Sequence, residues 1–143
     1  MKFDYLKFPA KPTEAFPEIH WALRPVLPVT LKRGDKKISV QALVDSGSDY
    51  NIFNAEVGEA LGLEIKTGKT LSFWGTSESK QLAYFHDITI EIGGYEYQCY
   101  CGFSYDIKHL PYGLLGQNDF FEKFKVIFDY SKERFEIKEK GNN

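Results

Sequence analysis

The stretch Ala42-Leu43-Val44-Asp45-Ser46-Gly47-Ser48-Asp49 carries an apolar run into a carboxylate and follows it with two hydroxyls and a glycine. Asp45 stands where a buried strand would end, a position at which the surroundings can tune a carboxyl for acid–base work. Gly47 lets the chain turn sharply and approach a ligand closely. The Ser46 hydroxyl can hold a hydrogen bond across an interface. The same residues also make an ordinary β-turn, because Asp, Ser and Gly dominate turns for purely conformational reasons. A match to this four-residue pattern arises by chance in about one chain in a hundred of this size. The turn alone therefore leaves both readings open.

The elements around the turn are mostly strands. Ile38, Val40, Ala42 and Val44 alternate with Lys37, Ser39, Gln41 and Leu43, the period of a half-buried strand running into Asp45. The turn Arg33-Gly34-Asp35-Lys36 joins it to an apolar segment, Trp21 to Lys32, which Pro25 and Pro28 assign to a sheet edge or bulge. After the turn, Asn54 caps a short helix with Val57, Ala60 and Leu61 on one face and Gly62 as its stop. Thr70 to Trp74 and Leu82 to Phe85 then flank the polar tip Gly75-Thr76-Ser77-Glu78-Ser79-Lys80, predicting a protruding hairpin. Ile88, Ile90 and Ile92 lead through a Gly93-Gly94 turn into Tyr95, Tyr97, Cys99, Cys101 and Phe103. A second short helix is expected near Asn118 to Phe124, and a closing hairpin pairs Val126–Asp129 with Phe135–Lys138. The sum is a mostly-β domain.

A second motif narrows the chemistry. Gly113-Leu114-Leu115-Gly116-Gln117-Asn118-Asp119 sets an apolar pair and a glycine just before the expected helix. An Asp-Ser-Gly turn after an apolar strand, a polar-tipped hairpin, then apolar-apolar-Gly before a helix resembles the retropepsin-like aspartic proteases over roughly Trp21 to Lys138. The resemblance implies a single-domain, closed β-barrel-like sheet with a flap hairpin and one or two short helices. It implies Asp45, Ser46 and Gly47 as the catalytic turn, with Ser46 bracing two active-site loops against each other. Asp49, with Ser48 beside it, would bind the substrate main chain, and the flap residues Trp74, Gly75 and Thr76 would lie over the substrate. Trp74 reads equally well as docking on its own core. Leu114-Leu115-Gly116 would pack beside the turn. Two departures stand out: Gln117 replaces an arginine usual in retroviral members, and the flap tip has a single glycine beside Trp74. The implied reaction is peptide hydrolysis by a water activated between two Asp45 carboxylates, one from each protomer of a homodimer, with no metal or cofactor. Two readings stand against it: a non-catalytic dimerisation or peptide-binding module of the same fold, and a ligand-binding sheet in which the turn is accidental.

Composition sets the limits. The chain has 143 residues, 43% hydrophobic and 16% aromatic, with 18 basic against 20 acidic side chains and a net charge of -2. That length predicts one domain rather than two lobes, so a one-turn active site needs a second copy to become a pair. The charge balance gives no basic face for nucleic acid, and no apolar run approaches the roughly 20 residues needed to span a bilayer. Met1 to Ala10 has no apolar core of a signal peptide, and a cytoplasmic location is expected. Cys99 and Cys101, one residue apart, read as small buried hydrophobes, too few with His86 for a closed zinc site. His20 and His109 fall in irregular stretches and read as structural or surface residues, and no serine-hydrolase elbow surrounds Ser46 or Ser48. Residues 1–20, with Pro9, Pro12 and Pro17, are expected as an extended arm, 21–138 as the protease-like domain and 139–143 as a polar tail.

Overall fold

The structure, a computed structural model, describes residues 1–74 and 79–141. Twelve strands form among them. Along the chain these are β1 (Lys2–Asp4), β2 (Leu6–Pro9), β3 (Trp21–Arg24), β4 (Val26–Arg33), β5 (Lys36–Val44) and β6 (Asn51–Asn54). They continue with β7 (Lys69–Trp74), β8 (Lys80–Ile92), β9 (Tyr95–Ser104), β10 (Gly113–Leu115), β11 (Phe124–Asp129) and β12 (Arg134–Glu139).

Six of these strands close into a barrel. The order β4-β5-β10-β6-β9-β8 returns to its start because β8 also pairs with β4, over Thr30↔Glu91 to Lys32↔Thr89. Closure removes the exposed edges of the six strands, and their alternate side chains fill the interior. Leu27, Leu31, Phe53, Ile90 and Phe103 are fully or almost fully buried there. Pro25 separates β3 from β4, and Pro28 sits on β4 before its second neighbour begins at Thr30. There a missing backbone N–H interrupts no central ladder.

The strand β8 is one continuous element of 13 residues rather than two shorter runs. Its first half pairs with β7, from Lys69↔Phe85 to Trp74↔Lys80, and its second half belongs to the barrel. The β7–β8 hairpin therefore projects from the barrel wall. Gly93 and Gly94, both at positive φ (56° and 85°), make the tight turn into β9.

The helix α1 (Ala55–Ala60) is capped by the Asn54 side chain, which accepts from Glu56 N at 3.0 Å. Its buried face is Ala55, Gly58 and Leu61; Ala60 points to solvent and Val57 is half-buried, so the face is rotated from the expected one. The rotation follows from packing, since Gly58 lies against Phe103 too closely for any side chain. No regular helix forms at 118–124. Instead Gln117–Phe121 makes a single π-type turn, with Asp119 at φ 66°, and Phe124 already begins β11. The Asp119 carboxylate accepts from Tyr100 N at 2.9 Å, a bond that holds this residue in its unfavourable conformation. Phe120 and Phe124, at helical spacing in the sequence, are both buried, their ring centres 5.1 Å apart.

Outside the barrel, β11 and β12 form the closing hairpin and β1 adds to it, giving a sheet of order β1-β12-β11. Phe3 stacks on Phe135 at 5.4 Å. The strands β2 and β3 pair with each other as a separate ribbon.

Candidate active site

Asp45 directly follows β5, and three neighbours fix its backbone. Val44 N donates to Pro25 O at 2.9 Å, Asp45 N to Leu115 O at 3.0 Å, and Ser48 N to Asp45 O at 3.1 Å. The second of these comes from β10, which runs parallel to β5 with Leu114 opposite Leu43 and Leu115 opposite Val44. Leu114-Leu115-Gly116 thus lies beside the turn. Gly47 N donates to the Asp45 Oδ1 at 2.9 Å, so a backbone N–H fixes the orientation of the carboxylate at the surface of the turn.

A second layer holds this turn against the one after β10. Gln117 N donates to Ser48 O at 2.8 Å and Asn118 N to Asp49 O at 3.0 Å. The Gln117 side chain donates to Ser46 O. Gln117 therefore braces the turn through a neutral amide. Gly116 is required between the two turns: a Cβ there would lie 2.5 Å from both Ser48 O and Tyr50 O.

Asn51 ties these layers together. It is fully buried; its Oδ1 accepts from Gly116 N at 2.8 Å, and its Nδ2 donates to Asn118 O at 2.8 Å and to Cys99 Sγ at 3.2 Å. Sequence reasoning passed over it. The available signal was a lone amide heading the apolar run Asn51-Ile52-Phe53, a residue that must find partners when buried. Cys99 and Cys101 are buried behind it, and burial pushes the Cys101 thiol well above its ordinary range, so it stays protonated. His86 is engaged elsewhere, with a ring nitrogen 2.8 Å from Ile65 O and its ring 6.1 Å from that of Phe103.

Asp45, Gly47, Ser48 and Asp49 open into a cleft of about 540 Å³. The β7–β8 hairpin contributes Ser72, Phe73, Trp74 and Gln81 to its walls, and the loop before β10 contributes Ile107, His109, Leu110 and Tyr112. Trp74 is 67% exposed and lines the cleft, so it does not dock in the core of the molecule. Ser46 is exposed at the turn, and its hydroxyl has no hydrogen bond among the described residues. Gly75 and Thr76 lie outside the described residues. The walls are thus mostly apolar and the floor acidic. His109, read from sequence as a structural or surface residue, is exposed and belongs to this wall; no local pattern could have placed it there.

No family model matches the sequence, and no curated relative does. Solved structures do match. A retropepsin-like aspartic protease from Rickettsia conorii superposes with a TM-score of 0.52 at 18% identity, over 94% of this chain and 91% of that one. The fold is that of the retropepsin-like aspartic proteases. The EIAV protease complexed with the inhibitor HBY-793 also matches, with a TM-score of 0.49 at 18% identity, over 69% of this chain and 86% of that one. The chain shares with this fold its mostly-β content, the closed six-strand barrel and the few short helices. Among the described residues no helix is long and apolar enough to cross a membrane.

Proposed function

We propose that the chain is an aspartic endopeptidase that acts as a homodimer, each copy supplying one Asp45. The observation that carries this reading is the Asp45 carboxylate, oriented by Gly47 N at the floor of a cleft walled by a projecting hairpin. A single carboxylate does not split a peptide bond by this chemistry, and each copy has one such turn. Two copies that bring their Asp45 turns together hold one proton between two carboxylates, because like charges that close cannot both ionise. Shared protonation of this kind is the general pattern of aspartic proteases, applied to these residues. The ionised carboxylate takes a proton from water as the water attacks the scissile carbonyl, and the protonated one donates to the carbonyl oxygen. Proton transfer to the leaving nitrogen then releases the amine.

The other turn residues take supporting roles. Ser46, exposed and with a hydroxyl that has no hydrogen bond among the described residues, braces one turn against the other. Asp49 and Ser48 bind the main chain of an extended substrate, and the β7–β8 hairpin, with Trp74, Gly75 and Thr76, serves as the flap. The apolar cleft walls favour large hydrophobic side chains next to the cut bond. The substrate is a peptide or protein.

Cleavage of a random decapeptide pool, read by mass spectrometry, tests the proposal. The wild-type protein should cut, a pepstatin-type inhibitor should block it, and Asp45→Asn should remove at least roughly a thousandfold of the rate, a loss on the scale expected for a group acting in the transition state. Binding of peptides without turnover, unchanged in Asp45→Asn, would make the protein a non-catalytic peptide-binding module instead.

A further inference from the structure

A second cavity of about 360 Å³ lies behind Tyr50, outside the cleft. Its floor is Leu71, Phe85 and Tyr100, and its rim carries Lys69, Asp119 and Glu122. The rings form a chain: Tyr50 meets Phe85 edge-on at 5.8 Å, and Phe85 meets Tyr100 at 5.1 Å. The site is built rather than incidental. Tyr100 is held from its own backbone N by the Asp119 carboxylate, from a residue kept at φ 66°, and yet it remains 42% exposed. A strained residue that orders a half-open aromatic wall fits a binding role better than a packing one.

Two features connect this cavity to the cleft. Tyr50 lines both. The strand β7 also runs along both, with Phe73 in the cleft and Leu71 in the cavity. These two side chains lie on one face of the strand, about 6.6 Å apart, the spacing of alternate residues in an extended chain. Among the described residues β7 is also the end strand of its sheet, paired to β8 alone. Its other edge offers backbone groups to an added strand.

We infer that this cavity is an outlying substrate subsite, receiving a large aromatic or aliphatic side chain from a peptide that leaves the cleft along the free edge of β7. The inference rests on the proposed peptidase reading for the identity of the occupant. Because a peptide paired to β7 keeps the same two-residue period, the outlying side chain is separated from the nearest side chain held in the cleft by one residue that faces away. The specificity of the protein should therefore show a preference at an outer position, then an indifferent position, then the preferences of the cleft.

The same decapeptide pool provides the test in two ways: products cut by the wild-type protein, and intact peptides captured on immobilised Asp45→Asn. Phe, Tyr, Leu or Met should be enriched about tenfold over Ser at the outer position, the scale of burying one such side chain. In Tyr100→Ala and in Leu71→Ala, each checked for folding by thermal unfolding, the outer enrichment relative to the inner ones should fall towards unity. Cleavage with an outer position as tolerant of Ser as of Phe, or an outer preference unchanged in both variants, overturns the subsite and leaves the peptidase reading standing. Capture with the outer preference but no cleavage overturns the peptidase and keeps the subsite. Neither capture nor cleavage overturns both.

Discussion

At the scale of single residues, the turn depends on groups that do no chemistry. Asn51 satisfies a backbone N–H and a backbone carbonyl from the turn after β10 while itself fully buried. Replacing it by Ala leaves the buried Gly116 N without a partner, at a cost of about 1–3 kcal/mol, and removes the tie to the less buried Asn118 O. Asn51→Ala should therefore lower the unfolding free energy by about 2–3 kcal/mol in urea titration, with the midpoint shifted and the slope unchanged. Gly116→Ala should be worse, because its new methyl meets the carbonyl oxygens of Ser48 and Tyr50, which are backbone and cannot swing aside. Little or no folded protein by circular dichroism is the expected result. Asp45, the residue proposed for catalysis, was legible in the sequence because it stands where an apolar alternation stops at a turn. Asn51 was not, because an amide in a short apolar run becomes a brace only when two distant turns converge on it.

At the scale of elements, the closing hairpin carries its own acid-sensitive turn. The Ser131 hydroxyl donates to Asp129 Oδ1 at 2.8 Å and Lys132 N to the same oxygen at 3.3 Å. Chiefly through Ser131, with Lys132 adding, these contacts hold the carboxyl below its ordinary range. A lowered folded-state value contributes stability above the ordinary carboxylate range, and that contribution disappears as the pH falls through the lowered value. The melting temperature of wild type should exceed that of Asp129→Ala at about pH 7, and the gap should narrow between about pH 4 and pH 2 as the carboxylate takes up its proton, the range of carboxyl titration. A gap independent of pH would assign the effect to hydrogen bonding by the neutral group. The hairpin was readable from its alternation and its polar turn. The segment 117–121 was not, since Phe120, Phe121 and Phe124 have helical spacing yet occupy one π-type turn and the first residue of β11. There the turns on either side, joined by Gln117 N and Asn118 N to Ser48 O and Asp49 O, outweighed a local helical preference.

At the scale of the whole molecule, the first strand and the assembly carry the remaining predictions. Phe3 on β1 stacks against Phe135, and β1 extends the hairpin sheet by one strand. Removing residues 1–5 should cost about 2–4 kcal/mol in unfolding free energy, the scale of uncovering one to two large apolar side chains. An unchanged stability would mark residues 1–5 as a dispensable extension. If two Asp45 turns make one active site, activity must follow the concentration of dimer. Below the dissociation constant, doubling the protein should raise the rate about fourfold, and sedimentation equilibrium should find the dimer over the same range. A rate strictly proportional to protein throughout, with a monomer in the centrifuge, would contradict the shared site. The sequence by itself determined the hairpin strands β4, β5, β8, β9, β11 and β12, the tight turns and the carboxylate at the end of β5, but not β1, β2 or β6, because alternation, turn chemistry and capping are set by residues within a few positions of one another. Only the tertiary structure decided that β10 lies parallel to β5 and β6 to β9, that β8 closes the barrel onto β4, and that His109, Tyr112 and Trp74 share one cleft. Those outcomes depend on which distant strands bury the same core, and strand alternation reports only which face of a strand is apolar, not which partner will cover it.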